Sequence, residues 1–422
     1  MRIVTVFFIG VLLGLATSLA WADNSGDATP SDPANPANPG GFIEDSPFIP
    51  IPEVGTDPNT GTIVGLLPVY LVTDEHKQIS RIYAPDIAHD PNFGWMADAR
   101  VFDYPSEDTA WFVVGGMKQR VERQFNADYA TGLLRQSDWS FHGSLIYDRN
   151  GTQRFYGLGN HSMTDGQTNF TREQTLAEAE VGYNFTPHIQ VSFLARQRSV
   201  DVEQGTLSTL PSIETRYPAI NGLGHASEFF NRVALTYDTR DSTALPTKGM
   251  QAVVYAGVTP NIGISTASYA VMGGDVRGYW SLDADTTLAG HAGLRIMPDA
   301  DNAPFWALSS LGGDRAVIGG AQVLRGFGEG RFVDTNSMGV DLELRRRVLS
   351  LDLFSTQVDL QLAPFIDTGQ VFHSRYGAAL SQQHVVTGVG FRGLASPFIV
   401  GYVDVGYGTE GTAIYSGLGY AF

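Results

Sequence analysis

VDLQLAPFID, residues 358–367, decides the fold. Successive side chains of an extended strand point to opposite faces. Val358, Leu360, Leu362, Pro364 and Ile366 therefore share one face, and Asp359, Gln361, Ala363, Phe365 and Asp367 the other. One face is oily and the other largely polar. Neighbouring stretches repeat the pattern. Met338, Val340, Leu342 and Leu344 oppose Gly339, Asp341, Glu343 and Arg345, and Val385, Thr387, Val389 and Phe391 oppose Val386, Gly388, Gly390 and Arg392. From residue 62 onward, short alternating segments are separated by Gly, Asp, Asn and Pro clusters, with no sustained 3.6-residue period. The chain reads as all-β.

Alternation alone fits either a sandwich or a barrel. A sandwich turns its polar face to water and its apolar face to a second sheet. A membrane barrel turns its apolar face to lipid and its polar face to a lumen, and it closes its edges because lipid cannot satisfy them. Three features favour an antiparallel transmembrane β-barrel. About sixteen strands of ~10 residues fit between residues 61 and 422, an even number as single-chain barrels require. Long connections near 149–172, 200–228 and 298–335 fall on one side, with short turns on the other. The closing stretch TAIYSGLGYAF places Ile414, Leu418, Tyr420 and Phe422 on one face of a last strand. Leu418, Tyr420 and Phe422 then read as the aromatic C-terminal signal recognised by outer-membrane assembly machinery, a partner during the chain's own insertion.

The rest of the chain fits that frame. Residues 1–22 carry one positive charge at Arg2, an apolar run and a small-residue site at Ala20–Ala22, the order of a cleaved secretory signal peptide. No later stretch approaches ~20 uninterrupted apolar residues, so a helical membrane anchor is not expected. Residues 23–60 are rich in Pro, Asn and Asp and read as a periplasmic linker, leaving 61–422 for the barrel. Charged residues make up only 17% of the chain, below the ~25% of ordinary soluble domains, as expected if much of the surface faces something other than water. A net charge of −17 argues against nucleic acid as a partner, because binding phosphates takes clustered Lys and Arg. The absence of cysteine removes thiol chemistry, disulfides and thiolate metal sites.

No enzymatic motif stands out, and neither a catalytic centre, a metal nor a cofactor is expected. G-x-S-x-G, H-E-x-x-H and the P-loop pattern are missing. The nine histidines are scattered singly; His142 and His291 read as polar groups of strands. Asp299 and Asp301 read as an acidic loop tip. In LRGFGEGRF, residues 324–332, the glycines suggest a phosphate cradle, but such a cradle needs a helix N-terminus, and the next regular element is an alternating strand. Gly326, Gly328 and Gly330 instead imply close backbone approach within a long loop. Alternation puts Glu343 and Asp367 on the polar face of consecutive strands beside the loop that carries Arg325. Either Arg325 reaches inward to both carboxylates, or it is an exposed loop residue and the carboxylates pair with Arg345 or Arg392.

Several segments together resemble the BamA/TamA superfamily of outer-membrane assembly factors, the bacterial surface antigen family. Leu324, Arg325, Gly326 and Phe327 match its Val/Leu-Arg-Gly-Phe/Tyr hallmark in the sixth extracellular loop. Further matches are YDTRDSTALPTKG (237–249), DLELR (341–345), PFIDTGQVF (364–372), GVGFR (388–392), RFYGLGN (154–160) and the closing GLGYAF. The resemblance implies a sixteen-stranded barrel in the outer membrane of a Gram-negative bacterium, with the sixth loop folded into the lumen. It also implies that the hallmark arginine contacts acidic residues of strands twelve and thirteen, matched by Glu343 and Asp367. Implied partners are outer-membrane lipid and unfolded outer-membrane protein clients. Full members carry periplasmic POTRA modules ahead of the barrel, and residues 23–60 are too short for one. The expected function is assistance to protein insertion or translocation, or lipid movement; the alternative is a passive channel or structural barrel with a plugged lumen.

Overall fold

A computed structural model describes residues 48–57, 59, 61–74, 79–353, 356–374, 376–395 and 399–422. The expected signal peptide, 1–22, and residues 23–47 of the expected linker lie outside the described residues. In chain order the strands are β1 (Phe48–Asp57), β2 (Gly61–Thr73), β3 (Ile79–Tyr83), β4 (Asp86–Asp90), β5 (Gly94–Ser106), β6 (Thr109–Lys118), β7 (Arg123–Thr131), β8 (Trp139–Phe155), β9 (Thr168–Thr186), β10 (Ile189–Gln204) and β11 (Gly224–Asp238). They continue with β12 (Gly249–Thr259), β13 (Ser268–Ser281), β14 (Thr286–Asn302), β15 (Ser309–Leu311), β16 (Phe332–Asp334), β17 (Asn336–Leu353), β18 (Thr356–Phe372), β19 (His384–Ala395), β20 (Ile399–Gly408) and β21 (Gly411–Leu418).

All but β15 and β16 belong to one sheet of nineteen strands. Chain neighbours pair antiparallel, β14 reaches β17 across the longest connection, and β1 pairs with both β2 and β21, so the sheet closes into a ring. β3 and β4 lie end to end between β2 and β5. They are split at Ala84-Pro85, where proline withholds a ladder donor. Counting them as one stave gives eighteen staves among the described residues.

The expectation of sixteen is therefore short by two. β1 lies inside the segment that proline content assigns to the linker, yet it stays in register with β2 from Phe48↔Tyr70 to Asp57↔Gly61. Proline is barred from a ladder only where its missing N–H must face the partner. Pro50 sits opposite Pro68, and in an antiparallel pair alternate residues turn their N–H groups away from each other. Both missing donors thus point away from the β1–β2 ladder. Counted from β1, the 303–335 connection is the seventh at its end of the barrel rather than the sixth. Glu343 and Asp367 stand on staves fourteen and fifteen rather than twelve and thirteen. The connections 156–167, 205–223 and 303–335 do open at one end of the barrel.

Burial is inverted relative to a water-soluble sheet. Val340, Leu342, Leu344, Leu362, Ile366 and Val385 are exposed, whereas Asp341, Glu343, Arg345, Asp367, Arg392 and Asp404 are buried. Packing oil outward and charge inward is stable only where the outside is itself apolar. No helix among the described residues is long and apolar enough to cross a membrane. Register carries this polar face from strand to strand: Asp341 lies opposite His291 and Asp367, and Gly390 opposite Asp404.

Candidate functional site

The 303–335 connection is tied at its base by a short ribbon in which Ser309 pairs with Asp334 and Leu311 with Phe332. Beyond the ribbon the chain doubles back. Gly312 and Gly313 have φ of 118° and 94°, values closed to most side chains. Leu324 donates to Gly313 O and Gly313 to Phe327 O, each at 3.1 Å. This fold-back drives Leu324 and Phe327 into an apolar cluster with Leu311, Phe332, Phe365, Val371 and Val386. The arginine between them has nowhere to go but the polar face of the sheet.

Arg325 is fully buried there. Its Nε and Nη2 donate to the two oxygens of Asp367 at 2.9 and 2.7 Å, and its backbone N–H donates to the same carboxylate at 3.0 Å. Nη1 donates to Glu343 Oε2 at 2.7 Å and to Asp404 Oδ2 at 3.0 Å. The guanidinium lies 3.4 Å from the ring centroid of Phe365. The fork on Asp367 is the bidentate geometry for which guanidinium is shaped, and charged donors and acceptors make the strongest hydrogen bonds.

Arg345 and Arg392 complete the cluster. Arg345 Nε donates to Glu343 Oε1 at 2.9 Å, Arg392 Nη2 to Glu343 Oε2 at 3.0 Å, and Arg392 also pairs with Asp404. Three guanidinium groups thus meet the three carboxylates of Glu343, Asp367 and Asp404. Arg325 thus reaches inward to both carboxylates and is not the exposed loop residue of the alternative, although Glu343 also binds Arg345 and Arg392. Asp404 joins the cluster from β20 without any motif to mark it. Its signal is a lone carboxylate between Val403 and Val405 on an alternating strand.

Glycines let the loop backbone touch the sheet. A Cβ on Gly406 would stand 2.2 Å from the carbonyl oxygen of Arg325, and one on Gly326 would stand 2.7 Å from the backbone nitrogen of Gly408. Phe327 packs over Gly408, where a Cβ would meet its ring at 2.8 Å, and its carbonyl accepts from Tyr415 Oη at 2.5 Å. Arg331, a second loop arginine with no periodic signal, donates to Glu410 Oε1 at 2.8 Å and to Ser162 O at 2.7 Å. It ties the loop to the β20–β21 turn and to the 156–167 connection.

The chain end departs from expectation. β21 stops at Leu418, whose backbone pairs with Gly401, and Gly419 at φ 91° turns the chain out of the ladder. Tyr420 and Phe422 therefore lie beyond the last strand rather than on one face of it. Phe422 is buried beside Tyr279, Ala289 and Val323. The alternating pattern could not register this, because a left-handed glycine resets which face follows.

Comparison with known proteins agrees with the geometry. A model of the Omp85 superfamily domain matches residues 112–408. The fold is similar to BamA from Haemophilus ducreyi lacking POTRA domains 1-3, at 14% identity over 87% of this chain and 74% of that one, with a TM-score of 0.50. It is also similar to CdiB from Escherichia coli, at 10% identity over 88% of this chain and 67% of that one, with a TM-score of 0.55. No curated protein matches the chain. The hallmark Leu324-Arg325-Gly326-Phe327 lies within the matched region, which spans well over half of the chain, and the chain belongs to the Omp85 superfamily.

Proposed function

We propose that the chain acts in the outer membrane to assist insertion or translocation of proteins, or movement of lipid, by parting β1 from β21. One observation carries this reading: the ring is closed by a single register pair among the described residues, Thr56↔Ile414. Elsewhere ladders are long, as in β9–β10, which runs from Ile189↔Thr186 to Gln204↔Phe170. Each unpaired ladder position lowers the cost of separation by one net hydrogen bond, about 0.5–1.5 kcal/mol. Because the missing donors of Pro50 and Pro52 point away from β2, they fall on the edge that faces β21 and cannot strengthen the closure. An edge with free backbone groups is a template for an incoming strand. In this reading loop 303–335 sits in the lumen as a latch through Leu324, Arg325, Gly326 and Phe327, held by Glu343 and Asp367. Clients would be unfolded outer-membrane proteins. That CdiB and BamA barrels share the fold is consistent with a role of this kind.

A disulfide across the seam tests it. Paired strand residues lie at Cα separations that a disulfide accepts, and the chain contains no cysteine to interfere. Vesicles carrying Thr56→Cys/Ile414→Cys are expected to lose assembly of a second barrel protein, or lipid transfer, by about tenfold or more when oxidised. Reduction is expected to restore activity. Full activity in the oxidised form would sink the proposal. A second reading, a passive barrel with a plugged interior, is favoured by the complete burial of Arg325. It expects ion conductance that is indifferent to the seam disulfide and no effect of the chain on assembly.

A further inference from the structure

On the polar face of the barrel, the guanidinium groups of β10 and β14 are short of carboxylates. Alternation turns Arg196 and Arg198 of β10 inward, and register sets Arg198 directly opposite Glu228 of β11. Glu228 is fully buried and already engaged: Tyr269 Oη donates to its Oε2 at 2.7 Å, and Arg196 Nη2 stands 3.2 Å from its Oε1. Arg198 is held by other means. Its Nε donates to Gln174 Oε1 at 2.9 Å, and its guanidinium lies 4.7 Å from the ring centroid of Trp306, a residue of the 303–335 connection. These contacts fix the group and leave both of its Nη amino groups without a hydrogen-bond partner among the described residues. Arg196 also has donors to spare. Its Nε has no partner, and its Nη1 is 3.7 Å from Glu178, beyond hydrogen-bond reach.

Arg295 of β14 adds a second uncompensated charge. It is 5% exposed, yet its acceptors are all neutral: Ser309 Oγ at 2.8 Å, Ala307 O at 3.0 Å and Met297 Sδ at 3.4 Å, with Nε unmet. Ala307 follows Trp306 in the chain, so the backbone that receives Arg295 also carries the ring that roofs Arg198. Phe230, Tyr269, Met297, Ala307 and Trp306 belong to one apolar cluster, and Arg196 lies over Phe230 at 4.8 Å. Three guanidinium groups therefore border this cluster. Glu228 and Glu178 both serve Arg196, and neither Arg198 nor Arg295 has a carboxylate within ion-pair distance among the described residues. A buried cation without a counter-charge is costly, so an anion that reaches these groups gains the pairing they lack.

We infer that Arg196 and Arg198, roofed by Trp306 and backed by the charge of Arg295, form an oxyanion site in the barrel interior that takes a phosphomonoester. Two guanidinium groups without a carboxylate call for about two negative charges, which a phosphomonoester approaches at neutral pH and a carboxylate does not. Its oxygens also match the fork of a guanidinium. Inorganic phosphate and the monoester headgroup of a lipid present the same chemistry. The site lies on β10 and β14, away from the β1–β21 seam, and binding is measured without any assembly assay, so it stands or falls apart from the proposed function.

The test uses the refolded full chain in a non-ionic detergent at constant ionic strength, with tryptophan emission and calorimetry followed together. Inorganic phosphate is expected to bind saturably and to shift the emission. Trp306→Phe is expected to abolish the shift and keep the heat of binding, because the ring that meets Arg198 is the reporter. Arg198→Gln is expected to weaken binding about tenfold or more, and Arg81→Gln, which removes a guanidinium paired with Asp103 on β5, to leave it unchanged. If Arg198→Gln does not fold, Arg198→Lys, which keeps the charge and loses the fork, is expected to weaken binding about threefold or more. Dihexanoyl phosphatidic acid separates the two sources. A Kd about tenfold below that of phosphate assigns the site to a lipid headgroup, and equal constants assign it to the free ion. No saturable binding of either, equal binding by the Arg198 variants, a shift that survives Trp306→Phe, or acetate binding as tightly as phosphate overturns the site.

Discussion

Arg325→Ala is expected to destabilise the folded barrel by about 3–5 kcal/mol, the range seen when one partner of a buried ion pair is removed and its counter-charges stay behind. The loss falls unevenly on the three carboxylates. Glu343 keeps Arg345 and Arg392, and Asp404 keeps Arg392. Asp367 receives its bidentate fork and a backbone N–H from Arg325 alone among the described residues. Most of the damage should therefore be recovered in Arg325→Ala/Asp367→Asn, which neutralises the stranded charge, and much less in Arg325→Ala/Glu343→Gln. Arg325→Lys is expected to fall in between, since an ammonium keeps the charge but cannot span both oxygens of Asp367. Urea unfolding in detergent, followed by tryptophan fluorescence and analysed as a double-mutant cycle, gives the comparison. Equal rescue by the two double variants would show that the cluster does not divide its charges as described.

Gly406→Val is the second large effect, and it reaches the same loop without touching a charge. The new Cβ would meet the Arg325 carbonyl oxygen at 2.2 Å and its carbonyl carbon at 2.6 Å, backbone atoms that cannot rotate away. The loop must lift from β20, drawing the guanidinium out of reach of Asp404 and Glu343. Overpacking of this kind costs about 1–3 kcal/mol, occasionally more. Gly401→Val on the same strand is the control, since a Cβ there meets nothing within 4 Å; it is expected to change stability by less than about 0.5 kcal/mol. Protease sensitivity of the 303–335 connection should rise in the Gly406 variant and not in the Gly401 one. If both variants behave alike, the close approach of loop and strand does not hold the loop down.

How far the site could be read in advance depends on the range of the interaction. Glu343 and Asp367 were legible because a period of two assigns each strand residue a face, whatever lies beyond. Asp404 obeys the same rule between Val403 and Val405, but nothing in one strand says that its carboxylate meets an arginine some eighty residues earlier in the chain. Arg331 had no period at all, being a loop residue whose partners, Glu410 and Ser162, come from two other connections. β1 was missed for the opposite reason. Composition outweighed register, and two prolines read as a linker until the pairing of Pro50 with Pro68 showed their missing donors facing away from the shared ladder.

The sequence by itself determined the sheet: alternation is a local property of covalent geometry, and an oily face opposite a charged one leaves a closed barrel as the stable solution in lipid. Only the tertiary structure decided how many staves close the ring, that among the described residues its closure rests on the Thr56–Ile414 pair, and that Gly419 sends Tyr420 and Phe422 to the polar face. These depend on contacts between residues hundreds of positions apart, where the free energy of a pair is set by where the chain returns in space and not by the residues that flank it.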